Sequence, residues 1–133
     1  MKRFRLFEMI AGWAVFAIAA FTYLSTIEPS ASFWDCGEFI ASSDKFEVGH
    51  PPGAPFFMLM GRLFALFASE PTQVAKMINS FSALCSAATI LFLFWTITHF
   101  ARKMTIKDDN DFSLTKILSI LGAGAVGALA YTF

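Results

Sequence analysis

Asp35 and Glu38 are the residues whose types and spacing best suit catalysis. They lie three positions apart, so in a helix both carboxylates project from one face, with Trp34 and Phe39 beside them. A carboxylate at a membrane surface, flanked by aromatic rings, can act as a general base on a hydroxyl group. An alternative places Asp35 in a capping box with Ser32, where its side chain bonds only the backbone. The spacing leaves both interpretations open.

A turn rich in proline and glycine follows this segment. Residues 48–55 read VGHPPGAP, with three prolines and two glycines, and such a sequence has few accessible conformations. The turn is therefore expected to hold His50 against the helix of Asp35, where an imidazole can orient a phosphate or share a proton. The alternative is that His50 simply reaches the membrane surface.

Arg62 lies in the middle of an apolar stretch at residues 55–69, PFFMLMGRLFALFAS. A helix of this length measures about 22 Å, which is too short to cross a hydrocarbon core of about 30 Å. We interpret it as a helix that starts at Pro55 and lies in the membrane interface. Its lipid-facing residues would be Phe56, Met60, Leu63 and Phe67. Arg62 would then face an anionic lipid headgroup or merely extend to the surface.

The rest of the chain is apolar enough to place these residues at a membrane. Hydrophobic residues make up 56% of the sequence and charged residues 15%, against about 25% charged residues in a soluble domain. Residues 9–27, 77–100 and 117–133 contain no Asp, Glu, Lys or Arg, and about 20 apolar residues cross a bilayer. A cleaved signal peptide is the alternative for the first run, which is however longer than usual and lacks a clear cleavage site.

We therefore predict an all-α membrane protein with about three transmembrane helices and an external loop that holds two short interfacial helices. The spans are expected at about 9–27, 77–100 and 117–133. The external loop covers 28–76, its short helices lie at about 32–43 and 55–69, and a cytoplasmic loop covers 101–116.

The distribution of basic residues predicts the orientation of these spans. Loop 28–76 has three basic residues against six acidic ones, whereas the N-terminus and segment 101–116 are rich in Lys and Arg. The basic segments are expected on the cytoplasmic side of the cell's inner membrane, with loop 28–76 outside.

Some functions are disfavoured by composition and context. A net charge of zero offers no electrostatic footprint for nucleic acid. Cys36 and Cys85 lie in different settings, so neither a disulfide nor a metal site is predicted, and a need for divalent metal is left open. Residues 122–127, GAGAVG, match a dinucleotide-binding pattern. Inside an apolar helix, close packing between helices explains these small residues better.

Two sequence strings in the loop resemble a known family. WDCGEFI at 34–40 and VGHPPGAP at 48–55 are similar to motifs of a bacterial (Bacteroidetes-type) membrane family of unknown function, related to an animal transmembrane O-mannosyltransferase. The order of a span, an acidic loop helix, a His-Pro-Pro turn and a second span resembles GT-C glycosyltransferases, among them protein O-mannosyltransferases and the aminoarabinose transferases of lipid A. The resemblance covers essentially the whole chain, which would form the N-terminal portion of such an enzyme.

The resemblance implies a reaction. A mannose-like sugar would pass from a polyprenyl-phosphate carrier in the membrane to an external hydroxyl of a protein or glycan, with inversion, and Asp35 would be the general base. Trp34 and Glu38 would support it, although Glu38 is not adjacent to Asp35 as in the Asp-Glu pair of mannosyltransferases. His50 and Arg62 would contact the lipid phosphate. The alternative is a non-catalytic multi-pass protein, a transporter fragment or assembly subunit, whose spans should carry more ionisable groups than these do.

Overall fold

The computed structural model describes residues 2–107 and 113–133. Within those ranges the chain is helical, with one 3-10 turn at Pro71–Gln73 and no strand. This confirms the predicted all-α class. The α-helices, in chain order, are α1 (Lys2–Ser25), α2 (Cys36–Lys45), α3 (Pro55–Ala65), α4 (Val74–Thr105) and α5 (Leu114–Leu129).

Helices α1 and α4 are long and apolar enough to cross a membrane. They contain 24 and 32 residues, which correspond to about 36 and 48 Å of helix. Only 28% of the most apolar window of each is buried within the protein. The remaining apolar surface faces outward, which suits contact with lipid better than the core of a soluble protein. Both helices overlap the spans predicted at 9–27 and 77–100.

Helix α5 overlaps the third predicted span, at 117–133, and begins and ends three to four residues earlier. It has 16 residues, about 24 Å in length, and the residues after Leu129 form a turn. The helix begins after Ser113, whose hydroxyl accepts a hydrogen bond from the backbone N–H of Lys116 at 3.4 Å. Residues 101–105 and 114–116 of the predicted cytoplasmic loop are thereby helical, and its residues 108–112 lie outside the described part of the chain.

The chain divides into two compact units, one formed by Met1–Thr22 with Ser86–Phe133 and the other by Tyr23–Cys85. In the first unit, glycines of α5 allow close contact with α4. A Cβ atom at Gly124 would lie 2.5 Å from Thr98 Cγ2, and one at Gly127 would lie 2.7 Å from Ile97 Cδ1. The GAGAVG segment thus lies within a helix and serves packing, as the sequence indicated.

In the second unit, the two short helices pack against each other through small side chains. A Cβ atom at Gly61 of α3 would lie 2.7 Å from Oγ of Ser43 in α2. Ser43 is fully buried and its hydroxyl donates to Sδ of Met58 at 3.3 Å. This contact holds α2 and α3 together and so positions the loop that carries the predicted site residues.

Candidate active site

Asp35 occupies the N-cap position, immediately before the first residue of α2. Trp34 precedes it in a left-handed backbone conformation with φ of 66°, which costs about 1–3 kcal/mol for a residue with a side chain. This turn makes the helix start at Cys36, not near residue 32 as predicted. The capping box is not formed, because it needs Ser32 at the N-cap and Asp35 inside the helix, whereas Asp35 is itself the N-cap residue. The Ser32 hydroxyl instead donates to Sγ of Cys36 at 3.2 Å.

The carboxylate of Asp35 is exposed and makes no capping hydrogen bond to the helix. Among the described residues, none forms an ion pair with it. A carboxylate without an internal partner keeps its lone pairs available to an incoming hydroxyl group. This placement suits a general base better than a structural cap.

A cavity of about 450 Å³ opens beside Asp35. Its volume lies within the range of about 300–1,000 Å³ that is common for small-molecule sites. The wall is mainly apolar, with contributions from Phe39, Ile40, Phe57 and Ile78, while its polar groups include Asp35, Asn79 and Ser82. A largely apolar cavity with a few polar groups suits a ligand that has both a lipid part and a polar part.

Asn79 fixes the segment that leads from α1 to this cavity. Its amide donates to the carbonyl oxygens of Glu28 at 2.9 Å and Ser30 at 3.2 Å. The side chain of Glu28 in turn accepts from the Ser30 hydroxyl at 2.7 Å. Asn79 and Ser82 were not predicted as site residues from the sequence. Both are polar residues in the first turns of the long helix α4, and this position could have indicated that they belong to the site.

His50 is bound to α2 through Glu38. The backbone N–H of His50 donates to Oε1 of Glu38 at 2.8 Å, and the ring Nδ1 lies 2.9 Å from Oε2. These hydrogen bonds, the backbone one first, lower the pKa of Glu38. The side-chain bond to Glu38 and the attraction of its charge raise the pKa of His50, with a smaller contribution from Asp35. His50 therefore lies against α2, as predicted, and it contacts Glu38 of that helix.

The turn between α2 and α3 brings His50 to this position by close backbone approach. Gly53 has φ of 85° and Ala54 has φ of 37°, and the N–H of Gly53 donates to the carbonyl of His50 at 2.8 Å. A Cβ atom at Gly49 would lie 3.2 Å from Cε of Met58. The absence of a side chain at residue 49 thus lets the turn lie against both short helices.

The Glu38–His50 pair lies behind the cavity wall. Neither residue lines the cavity, but the His50 ring meets the edge of Phe39 at a centroid distance of 6.1 Å. Phe39 in turn packs on Phe57 at 5.5 Å, and both are wall residues. In this structure Glu38 and His50 therefore support the wall, and Asp35 and Trp34 border the cavity directly.

Arg62 lies apart from the cavity. Its Nη1 donates to the backbone carbonyl of Asp44 at 2.5 Å and to Oδ1 of the same residue at 3.0 Å. The pair joins the end of α2 to α3, with both side chains about 40% exposed. An exposed pair of this kind contributes only about 0–1 kcal/mol. The predicted contact of Arg62 with a lipid phosphate stays a prediction.

The face of α3 opposite Gly61 carries much of its exposed apolar surface. Phe56 and Leu63 are 72% and 45% exposed, and Phe67 just beyond the helix is 74% exposed. Met60, which was predicted on the same side, is half-buried. The helix ends at Ala65, four residues before the predicted end at 69, because Leu66 to Ala68 form turns.

Comparison with known proteins extends these observations. Residues 35–133 match the family described as protein O-mannosyl-transferase TMEM260 N-terminal domain. The chain belongs to this family. The match begins at the N-cap residue of α2 and includes the His50 turn, α3, α4 and α5, so the resemblance to O-mannosyltransferases is confirmed at the level of the family.

Two relatives carry the same family name. The protein O-mannosyl-transferase tmem260 of Dictyostelium discoideum is 32% identical over 84 residues, which cover 62% of this chain and 10% of that protein. The protein O-mannosyl-transferase TMEM260 of Mus musculus is 35% identical over 85 residues, which cover 63% of this chain and 12% of that protein. The matched part thus spans about a tenth of each relative's length. No solved structure matches the chain closely.

Proposed function

We propose that this chain forms the acceptor-activating part of a membrane glycosyltransferase of the GT-C type. The complete enzyme transfers a mannose-like sugar from a polyprenyl-phosphate carrier to an external hydroxyl group of a protein or glycan. The observation that carries the proposal is the unpartnered carboxylate of Asp35 beside a largely apolar cavity of about 450 Å³. The names of the two relatives, both O-mannosyl-transferases, support it.

Asp35 acts as the general base in this reaction. Its carboxylate accepts the proton of the acceptor hydroxyl as that oxygen attacks the anomeric carbon of the sugar. The bond between the anomeric carbon and the lipid phosphate breaks, and the polyprenyl phosphate leaves with the electron pair. Because the hydroxyl attacks from the face opposite the leaving phosphate, the configuration at the anomeric carbon inverts.

The residues around Asp35 position it and its substrates. Trp34, which is 93% exposed at the cavity, offers an aromatic face to a sugar ring or to the carrier. The Glu38–His50 pair fixes the turn at 48–55, and the His50 ring contacts the cavity-wall residue Phe39. Glu38 thus supports the site from outside the cavity. His50 remains a candidate for contact with the lipid phosphate, and Arg62 is the second basic candidate once it is released from Asp44.

The membrane setting follows from the same proposal. Helices α1 and α4 span the inner membrane of a bacterial cell, the N-terminus and the segment after α4 lie in the cytoplasm, and residues 28–76 lie outside. Helix α3 then lies in the outer interface with Phe56 toward lipid, and α5 returns into the membrane. The length and outward apolar surface of α1 and α4 support this arrangement.

The stereochemistry of the product tests this function. The complete gene product is incubated with a synthetic polyprenyl-phosphate mannose and a hydroxyl acceptor. We expect release of one polyprenyl phosphate for each sugar transferred, and a product whose anomeric configuration is opposite to that of the donor. Retention of configuration would contradict direct displacement with Asp35 as base. Absence of both transfer and donor binding would favour the transporter or assembly-subunit alternative.

A further inference from the structure

A second cavity, with a polar lining, lies in the unit formed by Met1–Thr22 with Ser86–Phe133. It measures about 260 Å³ and is lined by Glu8 of α1 and by Trp95, His99 and Arg102 of α4. The three α4 residues are spaced four and three apart, so they share one face of the helix. Two opposite charges thus border one space, and this space belongs to neither Asp35 nor its cavity.

The carboxylate of Glu8 is held in a defined orientation. Its Oε1 accepts a hydrogen bond from the hydroxyl of Thr98 at 2.8 Å, and Thr98 is fully buried. A carboxylate offers about four acceptor positions, so this bond leaves capacity on Oε2. Glu8 directly precedes the charge-free run at 9–27, so it lies at the end of α1 that also carries Arg3 and Arg5.

The guanidinium of Arg102 is oriented by an aromatic ring. Its Cζ lies 5.8 Å from the centroid of the Phe4 ring, a distance at which a cation and a ring attract each other. Within the described part of the chain, no ion pair joins Arg102 to Glu8 although both line the cavity. Among the described residues, none forms an ion pair with the donors of Arg102 or with the second oxygen of Glu8, so both can contact a ligand.

The arrangement of charges selects a ligand that is itself zwitterionic. A phosphate group matches the planar donor fork of Arg102, with the exposed His99 ring as an additional donor. A phosphate alone would leave Glu8 next to a like charge. A primary ammonium group close to the phosphate removes that repulsion and donates hydrogen bonds to Oε2, which a quaternary ammonium lacks the protons to do.

The surroundings indicate that this ligand is a lipid. Phe7 and Phe100, the sequence neighbours of Glu8 and His99, are 45% and 60% exposed. Neither ring lines the cavity, but both give these ends of α1 and α4 exposed apolar surface that suits acyl chains. Trp95, which does line the cavity, has the amphipathic ring typical of membrane interfaces. A small soluble solute would have no use for this surface.

We propose that the Glu8–Arg102 cavity binds the headgroup of an ethanolamine-type phospholipid, with the phosphate on Arg102 and the ammonium on Glu8. This site is independent of the sugar-transfer reaction. It anchors the ends of α1 and α4 that carry the basic residues to one leaflet of the membrane.

Lipid binding to the purified chain in detergent micelles tests the proposal. Native mass spectrometry is used to titrate the protein with phosphatidylethanolamine, phosphatidylglycerol and phosphatidylcholine of identical acyl chains. We expect phosphatidylethanolamine to bind about tenfold more tightly than the other two, because it alone carries an ammonium group that can donate charge-assisted hydrogen bonds to Glu8. Arg102→Gln should lower its affinity about tenfold, and Glu8→Gln should remove the preference over phosphatidylglycerol.

Lys103→Gln is the matched control. It removes the same charge from the neighbouring exposed position, outside the cavity, and should leave the preference unchanged. Equal binding of the three lipids by the unaltered protein would overturn the proposal, even if a variant fails to fold. An equal loss of phosphatidylethanolamine affinity in Lys103→Gln would also overturn it, because general surface charge would then explain the binding. Equally tight binding of soluble glycerophosphoethanolamine would overturn the assignment to a lipid.

Discussion

At the scale of single residues, Asp35 has no ion-pair partner among the described residues and lines the cavity, whereas three other acids of the loop at 28–76 are bonded. Glu38 is bonded to His50, Asp44 to Arg62, and Glu28 to Ser30. These three carboxylates hold the chain in place, each through a different loop or helix contact. The sequence identified Asp35 by type and spacing, but local pattern alone did not distinguish it from a capping residue.

The partners of Glu38 and Arg62 were harder to predict from sequence. Glu38 and His50 are separated by 12 positions and Arg62 and Asp44 by 18, so both pairs depend on how α2 and α3 pack. The spacing of residues in a helix predicts that Glu38 and Asp35 share a face. This spacing does not predict where the turn at residues 48–55 lies relative to that face. Whether Glu38 and Asp44 are paired therefore depends on contacts between α2, the following turn and α3, and not on spacing within one helix.

The Glu38–His50 pair gives a pH dependence with a defined sign. The pKa of His50 is raised above its ordinary 6.5, so its contribution to stability is complete below pH 6.5 and is lost as pH rises through the raised pKa. The pKa of Glu38 is lowered from 4.5, so its contribution is complete above pH 4.5 and is lost as pH falls through the lowered pKa. The pair therefore stabilises the turn most between about pH 4.5 and 6.5.

Titration of the His50 ring by NMR measures this effect directly. We expect a pKa above 6.5 in the unaltered protein. Glu38→Gln should move it back toward 6.5, because the side-chain bond and the negative charge are its main causes. A His50 pKa that does not respond to Glu38→Gln would show that the two side chains are not paired in solution.

At the scale of elements, helix α2 starts and ends at left-handed residues. Trp34 has φ of 66° before the helix and Phe46 has φ of 56° after it. Large aromatic residues rarely adopt this conformation, so nothing in the sequence indicated that the chain turns at Trp34 and Phe46. The helix was therefore predicted at 32–43, whereas it lies at Cys36–Lys45. The start of α3 was predictable, because Pro55 suits the first turn of a helix. Its end, fixed by turns after Ala65, was not.

The packing of α2 on α3 predicts a strong effect of Gly61→Ala. The new Cβ would lie 2.7 Å from Ser43 Oγ and 2.8 Å from Ser43 Cβ, and Ser43 is too buried to move aside. Overpacking of this kind costs about 1–3 kcal/mol. The measurement is the free energy of unfolding in detergent, followed by circular dichroism.

Gly122→Ala is the control for this substitution. A Cβ at Gly122 in α5 would meet nothing within 4 Å apart from its chain neighbours and its own helix backbone. The same chemical change should therefore be neutral or should stabilise by up to about 1 kcal/mol through helix propensity. Equal destabilisation by both variants would mean that contact with Ser43 is not the cause.

At the scale of the whole molecule, composition and charge-free runs were sufficient to predict an all-helical chain with two long apolar helices. They placed α5 three to four residues too late along the chain, because the charge-free run at 117–133 begins after Lys116 and continues past Leu129, where the helix ends. The family was recognisable from WDCGEFI and VGHPPGAP, which lie on α2 and on the turn that binds it. These strings identify a family, and the cavity beside Asp35 required the three-dimensional arrangement.

The predicted orientation can be tested by cysteine labelling in sealed vesicles of known sidedness. With Cys36 and Cys85 replaced by serine, a membrane-impermeant maleimide should label Lys45→Cys from the external face only. Lys103→Cys is the matched probe for the cytoplasmic face, since both lysines are exposed. Labelling of Lys45→Cys from the cytoplasmic face alone would invert the topology and place Asp35 on the wrong side for an external acceptor.

The most direct test of the account is the effect of Asp35→Asn on sugar transfer by the complete gene product. Asparagine preserves the size of the side chain but accepts no proton, and loss of a general base lowers a rate by about 10²–10⁴-fold. We expect a fall of this size with binding of the polyprenyl-phosphate donor unchanged. Glu70→Gln, at an exposed acid outside the cavity, should retain full activity. Transfer by Asp35→Asn at the unaltered rate would contradict the role of Asp35 as the base.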